Sequence, residues 1–209
     1  MRLLGIDTTK KSAKIFILNT ASPEEMCWVE MPEGLKHSES IFLYIEKILI
    51  DNQLTIEDLD GFVCVVGPGA FTGIRVGMST IKGLNAGVNK VVVAINSFEL
   101  LVNAVKSGYI LLNSTTTSCY YAKINKGEII DAGVVDKSII NDFCDGKDVF
   151  VLQEEQKGMM IEYKNIKVID NLKDLYAKSV MSKVDNGDYG ECVPYYLQLS
   201  QAERNLKDE

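Results

Sequence analysis

Apolar and polar positions divide the chain into short strands and amphipathic helices. Three runs of β-branched and apolar residues come first, "RLLGID", "SAKIFILN" and "MCWVEM", separated by polar turns. This pattern predicts an antiparallel meander of three strands. Residues 38–53 follow with apolar residues at helical spacing, and a second helical pattern runs from Ile74 to about Val88, between the buried strands "FVCVV" and "VVVAI". Strands and helices that alternate after a meander predict an α/β fold with a mixed sheet.

The second half of the chain opens in the same way as the first. Its runs "YILLN", "CYYAKIN" and "EIIDAGVV" predict another three-stranded meander, and "DVFVLQE" and "IKVID" predict two later strands. A terminal helix is predicted over "LKDLYAKSVMSKVDNG", with Gly187 ending it. The repeated opening indicates an internal duplication, which we divide into an N-terminal lobe of residues 1–106 and a C-terminal lobe of residues 107–209.

Polar residues at the predicted helix starts are candidates for N-caps. Ser97 precedes the run "FELLVNAVK", Thr55 precedes the short run "IEDLDG", and His37 or Ser38 begins the first long helix. Such side chains commonly accept a hydrogen bond from the first free backbone N–H groups of a helix. We therefore assign the single histidine to capping in preference to catalysis.

The glycine segment "GPGAFTGIRVG", residues 67–77, joins a buried strand to a helix in the way that phosphate-binding loops do. A Walker A loop has the pattern GxxxxGK[ST], but the sixth position here is Thr72 and no lysine follows. The dinucleotide pattern GxGxxG is also missed, because Gly73 comes one position late and no acidic residue ends the next strand. We therefore expect Gly67, Gly69 and Gly73 to permit a tight turn from strand to helix.

The helix after the glycine segment carries small residues on the side opposite its apolar stripe. These residues are Val76, Ser79, Thr80, Gly83 and Gly87. A glycine inside a helix costs about 1 kcal/mol relative to alanine, but small residues let a second helix approach closely. In the preceding helix, Leu43 and Ile50 lie seven residues apart, away from that helix's own apolar stripe. These positions predict an interface with the helices of a partner; packing on the next helix of the same domain is the alternative.

Composition and charge exclude several classes of protein. The 209 residues carry a formal net charge of −7, which leaves no basic surface for direct binding of nucleic acid. No apolar run approaches the roughly 20 residues of a membrane-spanning helix, and the N-terminal segment turns polar too early for a signal peptide, so we expect a cytoplasmic protein. The five cysteines lie far apart, which indicates reduced thiols, and a single histidine excludes an HExxH site. We expect no metal.

Four segments together resemble one known family. "LLGIDTT", "HSESIFLYIEKIL", "VGPGAFTGIRVGMSTIKGLNAG" and "VPYYLQ" resemble the bacterial TsaB family, also called YeaZ, of the actin, Hsp70 and sugar-kinase superfamily. Gln198 replaces the arginine that usually ends the last segment. The resemblance implies a duplicated actin-like (ASKH, ribonuclease H-like) fold of two lobes, each with a mixed β-sheet flanked by helices. It also implies a non-catalytic subunit that binds and activates TsaD, which completes the t6A37 (N6-threonylcarbamoyladenosine) modification of tRNA.

The same resemblance implies the partners and the surface that meets them. TsaD pairs with such a subunit as a heterodimer, the ATPase TsaE supports turnover, tRNA is reached only through the complex, and the subunit forms a homodimer when alone. The positions that match the pairing helices here are Leu43, Ile50, Phe71, Thr72, Arg75, Val76, Ser79, Thr80, Gly83 and Gly87. Because the helix dipole disfavours a cation near the start of the helix, we expect Arg75 to contact a carboxylate.

Nucleotide binding and catalysis are the alternatives to a scaffold. The first turn, "DTTKK", offers Asp7, Thr8 and Thr9 but no glycine that would let backbone N–H groups close on a phosphate. The second turn, residues 113–118, has no carboxylate to position a metal. We expect no required cofactor, and leave open weak ATP or ADP binding with Mg²⁺ at the interlobe cleft or the complex interface. An actin-like ATPase or kinase is the alternative function; a metallopeptidase ("glycoprotease") is disfavoured by the single histidine.

Overall fold

Two compact units make up the part of the chain that the computed structural model describes, residues 1–159 and 161–198. The first unit contains residues 1–97 and 173–194, and the second contains residues 98–172 with the described residues 195–198. The lobe boundary at residues 106 and 107 stays a prediction. By contacts, residues 98–106 group with the second unit and residues 173–194 with the first.

The first unit is built on a five-stranded mixed sheet. Its strands are β1 (Arg2–Asp7), β2 (Lys14–Asn19), β3 (Cys27–Glu30), β4 (Gly61–Val65) and β5 (Val91–Ile95). Their spatial order is β3-β2-β1-β4-β5; β2 is antiparallel to both of its neighbours, and β4 is parallel to β1 and β5. Since β1 and β4 lie at the centre, they are buried on both faces apart from Arg2, which explains their continuous apolar sequences.

Two long helices pack on one face of this sheet. They are α1 (His37–Asp51) and α2 (Phe71–Ala86), and a short helix, α3 (Ser97–Val102), follows β5. Residues of α1 and α2 share one core cluster with Leu4 of β1, Ile15 of β2 and Phe62 of β4. The burial of this apolar surface supplies the main driving force for packing the two helices on the sheet.

The second unit repeats the topology of the first. Its strands are β6 (Ser107–Asn113), β7 (Ser118–Asn125), β8 (Glu128–Asp136), β9 (Val149–Leu152) and β10 (Ile166–Ile169), and its helices are α4 (Ile140–Cys144) and α5 (Gln153–Met159). The spatial order is β8-β7-β6-β9-β10, with β7 antiparallel to both neighbours and β9 parallel to β6 and β10. This is the order of the first sheet, so the predicted internal duplication is confirmed at the level of sheet topology.

The last helix of the described chain, α6 (Leu172–Asp185), lies in the first unit apart from its first residue. The ring of Tyr176 stands edge-on to the rings of Phe16 and Trp28, with centroids 5.2 Å from each. Phe16 points to the opposite side of β2 from the residues that pack under α1 and α2, so α6 covers the second face of the sheet. Among the described residues, no helix is both long enough and apolar enough to cross a membrane.

The predicted cap positions make different hydrogen bonds, and only the start of α1 contradicts a predicted cap. α1 begins at His37, whose Nε2–H donates to the carbonyl of Lys11 at 3.1 Å, and no side chain, including that of Ser38, caps the helix. Ser97 lies inside α3, and its hydroxyl donates to a carbonyl of the glycine segment at 2.9 Å. The chain makes a turn near Thr55, which donates its N–H and hydroxyl to the carboxylate three residues later. His37 and Ser97 therefore have partners far away in the sequence, whereas Thr55 and Asp58 have the i, i+3 spacing of a capping box.

Candidate functional site

The outward sides of α1 and α2 lie next to each other on the first unit. The two helices contact each other and bury their inward sides in the same core. The inward residues are Ile41, Ile45 and Ile48 of α1 and Ile74, Met78 and Ile81 of α2. Helices that share a core on one face of a sheet present their remaining sides on one surface. The outward residues of both helices are therefore candidates for a single contact surface.

Large apolar side chains are exposed on the outward side of α1. Leu43 and Ile50 are 64% and 66% exposed, and Phe42 on the same helix is 57% exposed. Single exposed apolar residues are common, but three on one helix form a patch of the kind that marks a protein contact. Phe42 is thus added to the two predicted positions.

Small residues cover the outward side of α2. Ser79, Gly83 and Gly87 are exposed. A Cβ atom added at either glycine would have no neighbour within 4 Å beyond the helix's own backbone. Packing inside the described part of the chain therefore does not require these glycines, and the alternative of a neighbouring helix in the same domain does not hold for them. Gly83 in particular keeps the helix surface low at a cost in helix stability.

Three of the ten predicted interface residues are buried or half-buried within the first unit. Thr80 is only 6% exposed, and Phe71 and Val76 are half-buried, Val76 against the core cluster. Because successive residues lie about 100° apart on a helix, the boundary of burial falls between Ser79 and Thr80. Thr80 therefore does not belong to the exposed surface. What we call the docking face consists of the exposed residues Phe42, Leu43, Ile50, Thr72, Arg75, Ser79, Gly83 and Gly87.

The glycine segment packs directly on the first turn. Gly67 has a φ of +106°, a backbone conformation that favours glycine, as expected for a tight turn. Gly69 and Gly73 are needed for another reason, because an added Cβ would lie 2.5 Å from the carbonyl oxygen of Thr9 and 1.9 Å from that of Thr8. The expected role in the turn is therefore corrected for these two glycines, which permit one stretch of backbone to contact another.

Side chains of the first turn are buried and hydrogen-bonded within the unit. Thr8 donates to the carbonyl of Gly73 at 2.6 Å. One carboxylate oxygen of Asp7 accepts from the N–H and the hydroxyl of Thr9 at 2.8 and 2.6 Å, and the other accepts from the hydroxyl of Tyr176. The three residues considered for nucleotide contact thus join β1 to α2 and α6, and both oxygens of the carboxylate are engaged by their own unit.

The second turn is also filled by side chains from elsewhere in its unit. Lys137 donates to Oδ1 of Asn113 at 3.0 Å and to the carbonyl of Thr115 at 2.9 Å. Glu155 of α5 accepts from the N–H of Asn113 at 3.1 Å. The expectation that this turn has no carboxylate holds for its own sequence but not for its surroundings. The carboxylate stabilises the turn from outside, opposite a lysine that reaches it from the end of β8.

Gln198 ties the C-terminal segment to the second turn. Its Nε2 donates to the hydroxyl of Ser114 and to that of Tyr120, the latter at 2.9 Å. A neutral amide therefore acts as a hydrogen-bond donor at the position where the resembling family has arginine. The segment "SQAERNLKDE", residues 200–209, has the polar composition of a solvated or frayed end and lies outside the described residues.

Titratable side chains of the described chain form no metal site, and its cysteines are free thiols. Within residues 1–159 and 161–198, no three His, Cys, Asp or Glu side chains are arranged as metal ligands. The five cysteines are free thiols, and four of them are buried. Burial raises the pKa of Cys119 and that of Cys144 to about 11 each. These two thiols are therefore protonated near neutral pH and react slowly.

Two sheets of the same strand order, each flanked by helices, define a duplicated actin-like α/β protein. YeaZ from Pseudomonas aeruginosa has this fold: it matches 94% of this chain and 99% of its own, with a TM-score of 0.71 and 16% sequence identity. The chain belongs to the family whose model is described as TsaD: tRNA N6-adenosine threonylcarbamoyltransferase, which matches residues 33–178.

Curated relatives include proteins named TsaB and proteins named tRNA N6-adenosine threonylcarbamoyltransferase. The tRNA threonylcarbamoyladenosine biosynthesis protein TsaB is 26% identical over 100 residues in Escherichia coli and 27% identical over 104 residues in Haemophilus influenzae. These matches span 46% and 50% of this chain and 41% and 43% of the relatives. The tRNA N6-adenosine threonylcarbamoyltransferase of Kosmotoga olearia is 39% identical over 61 residues, 29% of this chain and 18% of that relative. The predicted resemblance to the TsaB family is confirmed, although the matches span less than half of each relative.

Sequence reasoning missed the residues that close the two turns. Tyr176 is 169 positions from the carboxylate it contacts, so only the fold brings them together. The one signal for it was a tyrosine on the buried side of a helix that is otherwise rich in polar residues, which usually finds a partner for its hydroxyl. Lys137 and Glu155 gave no such signal, because an isolated lysine or glutamate is ordinarily exposed.

Proposed function

We propose that the chain is a non-catalytic scaffold subunit of the cytoplasmic t6A37 modification machinery, and that it binds and activates TsaD. The observation that carries this proposal is the docking face of α1 and α2. Membership of the TsaB family supports the pathway, because two of the curated relatives are named tRNA threonylcarbamoyladenosine biosynthesis protein. The whole complex includes TsaE and tRNA, which we propose meet this chain only as part of the assembly.

The docking face has the composition that a helix-to-helix contact requires. Burying a large apolar side chain contributes about 1.5–3 kcal/mol, so the three exposed apolar residues of α1 can supply a cluster of strong contacts. The low surface around Gly83 lets the backbone of a facing helix approach α2. We propose that the facing helices are the corresponding α1 and α2 of TsaD, and that a second copy of this chain takes their place when TsaD is missing. A carboxylate partner for Arg75 stays a prediction.

Nucleotide is not required in this proposal. The support comes from the two turns, where side chains of the same unit occupy the carboxylate of Asp7 and the backbone around Asn113. Calorimetric titration with Mg-ATP tests this part directly, with Asp7→Ala as the comparison. We expect no binding at micromolar concentration by either protein. Micromolar binding by the wild type that is lost in Asp7→Ala would favour the ATPase or kinase alternative.

Binding of TsaD by docking-face variants tests the proposed scaffold role. The double variant Leu43→Glu/Ile50→Glu places two charges on the face, and we expect its affinity for TsaD from the same cell to fall at least about 100-fold. The matched control is Ile130→Glu, an apolar residue that is 53% exposed in the second unit. Circular dichroism establishes that each variant is folded. A double variant that binds TsaD as tightly as the control would refute the proposed surface.

A second pair of variants tests the low surface of α2. Gly83→Leu adds a side chain where a facing helix would lie, and we expect it to prevent co-elution with TsaD. Gly83→Ala adds one methyl group and improves helix propensity, so binding should be retained or weakened only slightly. Normal co-elution of folded Gly83→Leu would show that no helix packs against this part of α2.

A further inference from the structure

A cavity lined by lysines lies at the end of the docking face where α1 and α2 begin. Its volume is about 360 Å³, and its wall includes Lys10 and Lys11 of the first turn and Lys36, which directly precedes α1. We call it the basic pocket. Thr72, a residue of the docking face, is also part of the wall. A partner helix that covers the docking face therefore reaches the basic pocket.

Hydrogen bonds hold the wall of the basic pocket in place. The Nε2–H of His37 donates to the carbonyl of Lys11 at 3.1 Å, and the N–H of Ala70 donates to the carbonyl of Thr9 at 2.9 Å. These bonds join the starts of both helices to the first turn. The pocket therefore has its shape before a partner binds, which lowers the free-energy cost of binding.

The charges around the basic pocket favour an anion. None of its described lining residues is acidic, although the whole chain carries a formal net charge of −7. Lys36 forms an ion pair with Glu39 at 2.8 Å, but the two side chains are 75% and 65% exposed, so this pair holds the lysine only weakly. Lys10 is only 8% exposed, and an opposite charge is attracted more strongly where water is largely excluded.

Apolar groups form another part of the same wall. Leu35, which is 42% exposed, and the half-buried Val76 both line the cavity. A wall that is basic in one part and apolar in another matches a carboxylate on a short hydrocarbon stem, as in glutamate. A free phosphate ion would use only the basic part. Because the pocket also continues the docking face, an acidic side chain carried by a helix on that face fits it best.

We propose that the basic pocket binds a glutamate or aspartate side chain on the TsaD helix that faces α1 and α2. This inference rests on the proposed function, because contact with the docking face is what brings that helix to the pocket. Exposed apolar residues such as Leu43 and Ile50 contribute affinity in either orientation of a facing helix. A carboxylate bound at one end of the face fixes the orientation and selects a helix with an acid at that position.

The affinity for TsaD from the same cell, measured by calorimetry at two salt concentrations, tests the pocket. In Lys11→Glu/Lys36→Glu two charges are reversed, and we expect the affinity at about 0.05 M salt to fall at least about tenfold. The difference from the wild type should become smaller at about 0.5 M salt, because salt screens the charges. Lys11→Gln/Lys36→Gln should show a smaller fall, and it decides the question if circular dichroism shows that the reversed variant is unfolded.

The matched control is Lys173→Glu/Lys178→Glu. It makes the same change of net charge at exposed positions of α6, on the opposite face of the first sheet from the docking face, and should bind TsaD as the wild type does. A folded pocket variant that binds TsaD as tightly as this control at low salt would overturn the proposal.

An exchange of charges identifies the group that the pocket binds. Each Glu and Asp of the facing TsaD helix is changed to Lys, one at a time, and tested with Lys11→Glu/Lys36→Glu. We expect one of these TsaD variants to bind at least about tenfold more tightly than wild-type TsaD binds the same reversed pocket. Failure of all of them to restore binding would overturn the proposal.

The same measurements separate this inference from the proposed function. If the wild-type chain does not bind TsaD, both are refuted. If Leu43→Glu/Ile50→Glu loses its affinity for TsaD while the pocket variants keep theirs, the docking face is supported and only the basic pocket is refuted.

Discussion

At the scale of the residue, the first turn can contact α2 because glycines, which have no side chain, lie at the contact. Gly73 lets the carbonyl of Thr8 approach the helix, and the hydroxyl of Thr8 returns a hydrogen bond to the carbonyl of Gly73. Phosphate-binding turns use glycine to bring backbone close to a ligand. Here the glycines bring backbone close to backbone, so the same residue type serves a structural contact.

Gly73→Ala should therefore destabilise the protein. The new Cβ would lie 1.9 Å from the carbonyl oxygen of Thr8, which forces a shift of backbone, and we expect a loss of about 1–3 kcal/mol in the free energy of unfolding. Gly83→Ala is the matched control, because its Cβ meets open space and improves helix propensity by up to about 1 kcal/mol. Urea unfolding followed by circular dichroism measures both. Equal stability of Gly73→Ala and the wild type would show that the contact is not tight.

Tyr176→Phe tests the hydrogen bond to the buried carboxylate of Asp7. Removing the hydroxyl leaves one carboxylate oxygen without its donor, and we expect a loss of about 1–3 kcal/mol in stability. Tyr189→Phe removes an exposed hydroxyl whose contact with the Val184 carbonyl is long, 3.4 Å, and should change stability by less than about 0.5 kcal/mol. Thermal unfolding midpoints compare the two. A loss no greater for Tyr176→Phe than for Tyr189→Phe would contradict the assigned role.

At the scale of the element, α1 separates two kinds of apolar residue. Ile45 faces the core and is buried, whereas Leu43, two residues earlier, is mostly exposed. The first kind stabilises the fold and the second is available to a partner. Periodicity alone predicted this division for α1, because Leu43 and Ile50 lie on a different side of the helix from the apolar stripe that faces the core.

Alanine substitutions distinguish these two sides of α1. Ile45→Ala should cost about 2–5 kcal/mol of stability, because it leaves a cavity in the core. Leu43→Ala should change stability by no more than about 0.5 kcal/mol in the isolated protein. Urea unfolding of the two variants provides the measurement. A large loss in Leu43→Ala would mean that this side chain is buried in solution, for example in a homodimer, which analytical ultracentrifugation would then reveal.

Lys137→Ala should loosen the second turn. The substitution removes the ammonium group that donates to Asn113 and to the carbonyl of Thr115, so amide hydrogen exchange over residues 113–118 should become faster. Lys164→Ala, at an exposed position of the same unit, is the control and should leave that exchange unchanged. Unchanged exchange in Lys137→Ala would show that the lysine contributes nothing to the turn.

Prediction from sequence succeeded where local patterns dominate and failed where distant groups meet. All ten strands of the described chain follow apolar runs, because a buried strand needs them along its length. The cap predicted for α1 was wrong, because neither His37 nor Ser38 caps the helix with its side chain, and His37 instead contacts the carbonyl of Lys11, 26 residues away. Thr80 was assigned to the exposed side of α2 because helical spacing does not show how far neighbouring parts of the first unit cover that side. Thr80 is in fact buried.

At the scale of the whole molecule, the two sheets have the same order but the chain does not divide at one point. The first unit includes residues 173–194, which follow the second unit's strands in the sequence and contain most of the helix that carries Tyr176. Sequence analysis predicted this helix but not the unit that it belongs to. The residues of "LKDLYAKSVMSKVDNG" predict a helix, but they do not indicate which of the two sheets the helix packs on. The docking face lies on α1 and α2, so the proposed scaffold uses the opposite face of the first sheet from that helix.

Reconstituted t6A formation on tRNA is the most direct test of the scaffold function. Purified TsaD from the same cell is assayed with TsaE, the other required components and increasing amounts of this chain. We predict that the wild type and Ile130→Glu raise the rate at least about tenfold over TsaD without the chain, which corresponds to about 1.4 kcal/mol, and that Leu43→Glu/Ile50→Glu gives no increase. Equal rates of modification with and without the wild-type chain would contradict the account.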